Sequence, residues 1–126
     1  MTAPSHVAAS KVPASIKDWH AHIYFTPETR PAAERLRERL AAHYPTAVLG
    51  RWHDRNVGPH TRSMYQVLFP VDLYPCIIPF IALNREGLVV LVHPNTGRER
   101  DDHSLHAMWM GEVLAVDLNV LKEAGE

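Results

Sequence analysis

Residues 18–25 read DWHAHIYF, and from Trp19 onward they alternate with the period of two that belongs to a strand. Trp19, Ala21, Ile23 and Phe25 fall on one side; His20, His22 and Tyr24 fall on the other. This pattern predicts a half-buried strand whose apolar side packs under helices. Two imidazoles are then left as neighbours on the opposite, helix-free face.

The stretches around this strand suggest its partners. TPETRPAAERLRERLAAHYP predicts a helix starting at Thr29 or Arg30 ahead of Pro31, with Ala33, Leu36, Leu40 and Tyr44 at helical spacing until Pro45. TAVLGRWH and RSMYQVLF predict two antiparallel strands in a long hairpin, joined by DRNVGPHT with its Gly58-Pro59 turn. VDLYPCIIPFIALNREG predicts a second helix from Asp72, kinked or restarted at Pro79. LVVLVHP predicts a buried strand closed by Pro94 and the turn-forming NTG. The order βαββαβ fits an α+β, ferredoxin-like sandwich: a four-stranded antiparallel sheet with two helices on one face. DDHSLHAMWMGEVLAVDLNVLKEAGE, from residue 101 on, is a C-terminal extension folding back on the sheet, with EVLAVDLNVL as an added strand or a short helix.

At 126 residues the chain is expected to form one domain over residues 17–126, preceded by a flexible tail over residues 1–16. Thirteen Lys and Arg stand against fourteen Asp and Glu. That balance lacks the positive field of an electrostatic nucleic-acid binder or a polybasic membrane segment. The first 16 residues lack the apolar centre of a secretory signal, and no stretch is long and apolar enough to span a bilayer, so a cytoplasmic protein is expected. The single cysteine, Cys76, excludes an intrachain disulfide framework and reads as a small buried hydrophobe in YPCIIPF.

Nine histidines are the compositional anomaly. In the expected topology the first and last core strands are antiparallel neighbours, which brings His93 of VHP beside His20 and His22. Same-face strand neighbours lie about 6–7 Å apart, a spacing that suits two ligands of one metal. DDHSLH adds His103 and His106 with Asp101 and Asp102, the residue types of a metal shell or an acid/base relay, or else a polar loop with an aspartate helix cap. His60 at the hairpin tip reads as an exposed loop histidine, His43 and His6 as structural or solvated, and His53 stays open. Arg51, Arg55 and Arg62 flank the hairpin and offer guanidinium groups to a carboxylate.

Taken together, WHAHIYF, GPH ahead of MYQVLF, NREGLVVLVHPNTG and DDHSLHAMWMG, in this order and spacing over residues 19 to about 121, resemble the DOPA 4,5-dioxygenase family. The resemblance implies a small ferredoxin-like homodimer that cleaves a catechol such as L-DOPA in extradiol fashion, using O2 and non-haem Fe(II), which zinc can replace on purification. It implies functional roles for His20, His22, His60, His93, His103 and His106. Under it, His20, His22 and His93 are expected to hold iron, or one of them yields to Asp101 or Asp102 in a 2-His-1-carboxylate triad. His60, His103 or His106 is expected to act as acid/base, Tyr24 to hydrogen-bond substrate, and Arg51 and Arg62 to grip it. The chain departs from the family pattern at Thr61, where proline usually follows GPH, and at Phe80, where tryptophan is usual. The competing expectations are a non-catalytic dimer holding a small aromatic or a closed four-ligand zinc site, and a cofactor-free enzyme on the same scaffold.

Overall fold

The computed structural model describes residues 9–55 and 58–121. His6, the first half of the expected tail and the last five residues lie outside them. The described elements are β1 (Asp18–Tyr24), α1 (Arg30–His43), β2 (Val48–Leu49), β3 (Met64–Phe69), α2 (Tyr74–Asn84), β4 (Val90–Asn95), α3 (Glu99–Asp102) and β5 (Met108–Met110). All five strands form one antiparallel sheet in the order β2-β3-β1-β4-β5. The first four have the ferredoxin-like order that the sequence predicts. The sheet has five strands rather than four, because MWM of the extension returns along β4, pairing Leu91 with Trp109 and covering an otherwise open edge.

Local chemistry explains the helices. Pro31 occupies the first turn of α1, where a missing N–H costs nothing, and the backbone N–H of Tyr44 closes the last turn on Leu40 O at 2.8 Å. Its buried stripe is Ala32, Ala33, Leu36 and Leu40. A 3-10 turn over Val71–Leu73 delays α2, which starts at Tyr74 instead of Asp72. Pro79 forgoes the bond to the carbonyl four residues back, yet the helix runs on through Asn84. Only the stripe of Ile77 and Ile81 is fully buried, so Cys76, one position off that stripe, is exposed rather than buried.

Ala21 and Ile23 of β1, Tyr65, Val67 and Phe69 of β3, and Val90 and Val92 of β4 meet the helices on one face. On the other face a smaller cluster of Tyr24, Met64, Leu91 and Leu114 packs with Trp109 and Val116. The expected long hairpin is shorter than its sequence suggests: β2 has two residues, and only a backbone bridge between His53 and Met64 continues the pairing. EVLAVDLNVL forms neither a strand nor an α-helix. It contributes a bridge from Val116 to His60 and a 3-10 turn over Leu118–Val120, where the Asp117 side chain accepts from Asn119 N–H. No helix among the described residues is long and apolar enough to cross a membrane.

Because Ile81 is fully enclosed, Ile81→Ala should lower the unfolding free energy by roughly 2–5 kcal/mol in urea denaturation with an unchanged slope. A loss below about 1 kcal/mol would contradict the packing described for α2.

Candidate metal centre and active site

The pairing of β1 with β4 sets His20 directly opposite His93 and leaves His22 two residues along the same face. His22 and His93 are buried, and their Nε2 atoms approach to 3.0 Å. Nδ1 of His93 lies 2.9 Å from the Pro94 carbonyl, which can only accept, so Nδ1 carries the proton and Nε2 presents a lone pair. His103, at the end of the one-turn α3, is oriented the same way by the Glu99 carbonyl at 2.8 Å. His60 enters from the β2–β3 connection. Its Nδ1 is hydrogen-bonded to the Tyr24 hydroxyl at 2.7 Å, and its ring centroid lies 4.0 Å from that of His22.

The imidazoles of His20, His22, His60 and His103 therefore line one cavity of about 280 Å³, with His53 and Gln66 on its β3 side, and the His93 ring packs against that of His103 at a centroid distance of 4.0 Å. Two overlapping sets, His20/His22/His93 and His22/His60/His103, each bring one ligand atom per residue to within 4.8 Å of the others. A metal ion fits the chemistry of these atoms. Two Nε2 atoms at 3.0 Å either share one proton or converge on a cation, and the buried Nδ1 of His22 has no hydrogen-bond partner among the described residues. Burial, reinforced by neighbouring imidazoles, holds His22 well below the ordinary histidine range, His93 at about 3 and His60 at about 4; burial also lowers His20, against a raising effect of Asp18. These rings are neutral at pH 7, the form that ligates metal.

Other expected site residues lie elsewhere. Asp102 is the exception in that it is buried in the cavity lining, but its carboxylate accepts from the Thr96 backbone N–H at 2.8 Å and from the Thr96 hydroxyl at 2.7 Å, closing the turn after β4. Neither Asp101 nor Asp102 belongs to a ligand set, and neither caps the start of a helix as the sequence suggested. His106 sits against Asp102 at 3.5 Å, outside the cavity lining. Tyr24 is buried, with its hydroxyl engaged by His60 and its phenol pushed above the ordinary tyrosine range, so it is not presented to the cavity as a substrate contact. Arg51 is exposed, while Arg62 lines a separate open cleft with Arg55 and approaches Glu112 at 4.0 Å. His60 is 5% exposed, not a solvated loop residue. Exposed His43 and the substituted Phe80 pack against each other in a tilted pair on the helix side, away from the cavity.

The residue reading passed over Gln66, which faces His22 across β1 and β3, although the alternation of Met64, Gln66 and Leu68 carries the signal. Trp109, stacked on Tyr24 at 5.9 Å, depends on the pairing of β5 and has no local signal.

A ferredoxin-like α+β sheet bearing an imidazole-lined cavity defines a small domain equipped to hold a metal ion. This chain belongs to the Dopa 4,5-dioxygenase family, whose model matches residues 19–120. It is 31% identical to the DOPA 4,5-dioxygenase of Amanita muscaria, over 91% of this chain and 58% of that protein. It is 35% identical to an uncharacterized 21.2 kDa protein of Botryotinia fuckeliana, over 80% of this chain and 61% of that protein. The chain thus spans about three fifths of the length of these relatives. The crystal structure of a candidate dioxygenase from Nostoc punctiforme is similar with a TM-score of 0.86 and 40% identity, covering 88% of this chain and 96% of that one.

The buried neutral histidines make stability pH-dependent. In the unfolded chain they titrate near 6.5, whereas in the fold His60 and His93 titrate near 4 and 3, so between these values the unfolded state binds more protons. Stability is full above about pH 6.5 and falls as pH drops toward 4. Metal-free protein should melt on the order of 5 °C or more lower at pH 5 than at pH 7.5 in differential scanning calorimetry. An unchanged melting temperature would contradict neutral burial.

Proposed function

We propose that this protein is a ring-cleaving dioxygenase that opens a catechol in extradiol fashion, using O2 and a histidine-held Fe(II). The observation that carries the reading is the convergence of His20, His22 and His93, with the Nε2 atoms of His22 and His93 3.0 Å apart, in a protein of this family. These three residues would hold the iron. Bound there, iron would supply Lewis-acid chemistry toward the catechol oxygens and a path for electrons from catechol to dioxygen.

The chain's own residues do the rest. Pro94 O fixes the His93 ring, and burial keeps the imidazoles unprotonated so that their lone pairs are available. A cavity of about 280 Å³ matches a single-ring substrate better than a large one. His60 and His103 border it; His103 would take the proton that leaves the catechol, and His60 would hydrogen-bond the reduced oxygen. Our reading extends to L-DOPA among the catechols, to a homodimer and to a cytoplasmic setting; family likeness supports these. A second reading, a closed non-catalytic zinc site, draws on the overlapping set His22/His60/His103.

Protein reconstituted anaerobically with Fe(II) and then given catechols, among them L-DOPA, caffeate and protocatechuate, should consume O2 and form a yellow ring-opened product. Chelator or zinc loading should stop it. His22→Ala should lose iron and turnover together, while His106→Ala should retain iron. Full turnover in the His22 variant or after chelation would refute the assignment, and tight zinc binding without turnover of any catechol with iron would favour the closed site.

A further inference from the structure

Tyr24 ends β1 on the histidine face, clamped by the stack with Trp109. Among the described residues its hydroxyl meets one polar group, Nδ1 of His60. A buried phenol O–H left without an acceptor carries the full desolvation penalty, and Nδ1 is the acceptor in reach, so the hydroxyl donates. A neutral imidazole that accepts at Nδ1 carries its proton on Nε2. His93 and His103 have the opposite form, because carbonyls take their Nδ1 protons.

We propose that Tyr24 is a positioning residue that locks His60 in its Nε2–H form, so that His60 offers the cavity a hydrogen-bond donor instead of a metal ligand. The five imidazoles are then divided by their second partners. His93 and His103 turn lone pairs inward, and His60 turns an N–H inward toward an anionic oxygen bound beside the metal. The set His22/His60/His103 consequently lacks one of its lone pairs, which leaves His20/His22/His93 as the metal set. The loop is built to hold this orientation: Asp117 N–H donates to Pro59 O at 2.7 Å, the Thr61 hydroxyl donates to Ala115 O at 2.9 Å, and His60 bridges Val116. Thr61, a departure from the family pattern, thus supplies one of the bonds that strap the loop carrying His60.

The tautomer follows from the hydrogen bonds alone; the donor's use toward a reacting oxygen rests on the dioxygenase reading. Long-range 1H–15N correlation spectra of imidazole-labelled protein at pH 8, metal-free and zinc-loaded, test it, with His60 assigned by signal loss in His60→Gln. We expect His60 protonated at Nε2 and bare at Nδ1 in both states, opposite to His93 in the metal-free protein. A bare or metal-bound Nε2 on His60 would overturn the proposal. Tyr24→Phe keeps the stacked ring and should move His60 out of its single form while leaving His93 unchanged. With iron it should lower kcat roughly tenfold or more at little cost in KM. A shifted tautomer with undiminished kcat would overturn the donor role, and absence of turnover in the wild-type iron protein would overturn the dioxygenase reading while leaving the tautomer result standing.

Discussion

The antiparallel register of β1 against β4 is the constraint from which the cavity follows. Facing residues of an antiparallel pair have Cβ atoms about 4.5–5.5 Å apart, and same-face neighbours along one strand are about 6–7 Å apart. His20, His22 and His93 therefore form a triangle with a common centre before any loop is placed. β1 is the central strand of the five, paired on both sides, so its position is over-determined. A slip of one residue would turn the histidines into the helix-side core and expose Ala21 and Ile23. The hydrophobic pattern on one face thereby fixes the chemistry on the other.

Gathering five imidazoles in a partly desolvated space is unfavourable when they are charged and tolerable when they are neutral. Burial selects the neutral form of His20, His22, His60 and His93, and hydrogen-bond partners choose which nitrogen keeps its proton. Backbone carbonyls of Pro94 and Glu99 take the Nδ1 protons of His93 and His103, whereas the Tyr24 hydroxyl meets Nδ1 of His60. The second partners of these rings thus do as much as their positions to set what the cavity can bind. The helix-side core of Leu36, Leu40, Ile77 and Ile81 against the sheet supplies the stability that holds such a polar cluster in place.

Much of this was legible in the sequence because it rests on short periods and strand order. The alternation in WHAHIYF assigned faces, and βαββαβ placed β1 beside β4, which brought His93 to His20. The histidines of GPH and DDHSLH were visible as residues, but their paths were not. The burial of His60 depends on the bridge to Val116, and the division of labour inside DDHSLH depends on Asp102 turning back to Thr96. Tyr24 shares the face of His20 and His22, yet its depth comes from Trp109 of β5, a strand too short to announce itself, and its bond to His60 from the β2–β3 connection. Cys76 is exposed although its run is apolar, because an apolar run does not say which of its positions a helix will bury. Arg51 and Arg62 are near His60 in sequence, but neither lines the histidine cavity.

The central claim is that one metal ion sits where β1 and β4 meet. Anomalous diffraction from crystals of the iron- or zinc-loaded protein, collected across the metal edge, tests this directly. The account predicts a peak at about 2 Å from imidazole nitrogens of His20, His22 and His93, with His60 outside bonding distance. A peak centred on His60 and His103, or a metal bound away from the helix-free face, would contradict it.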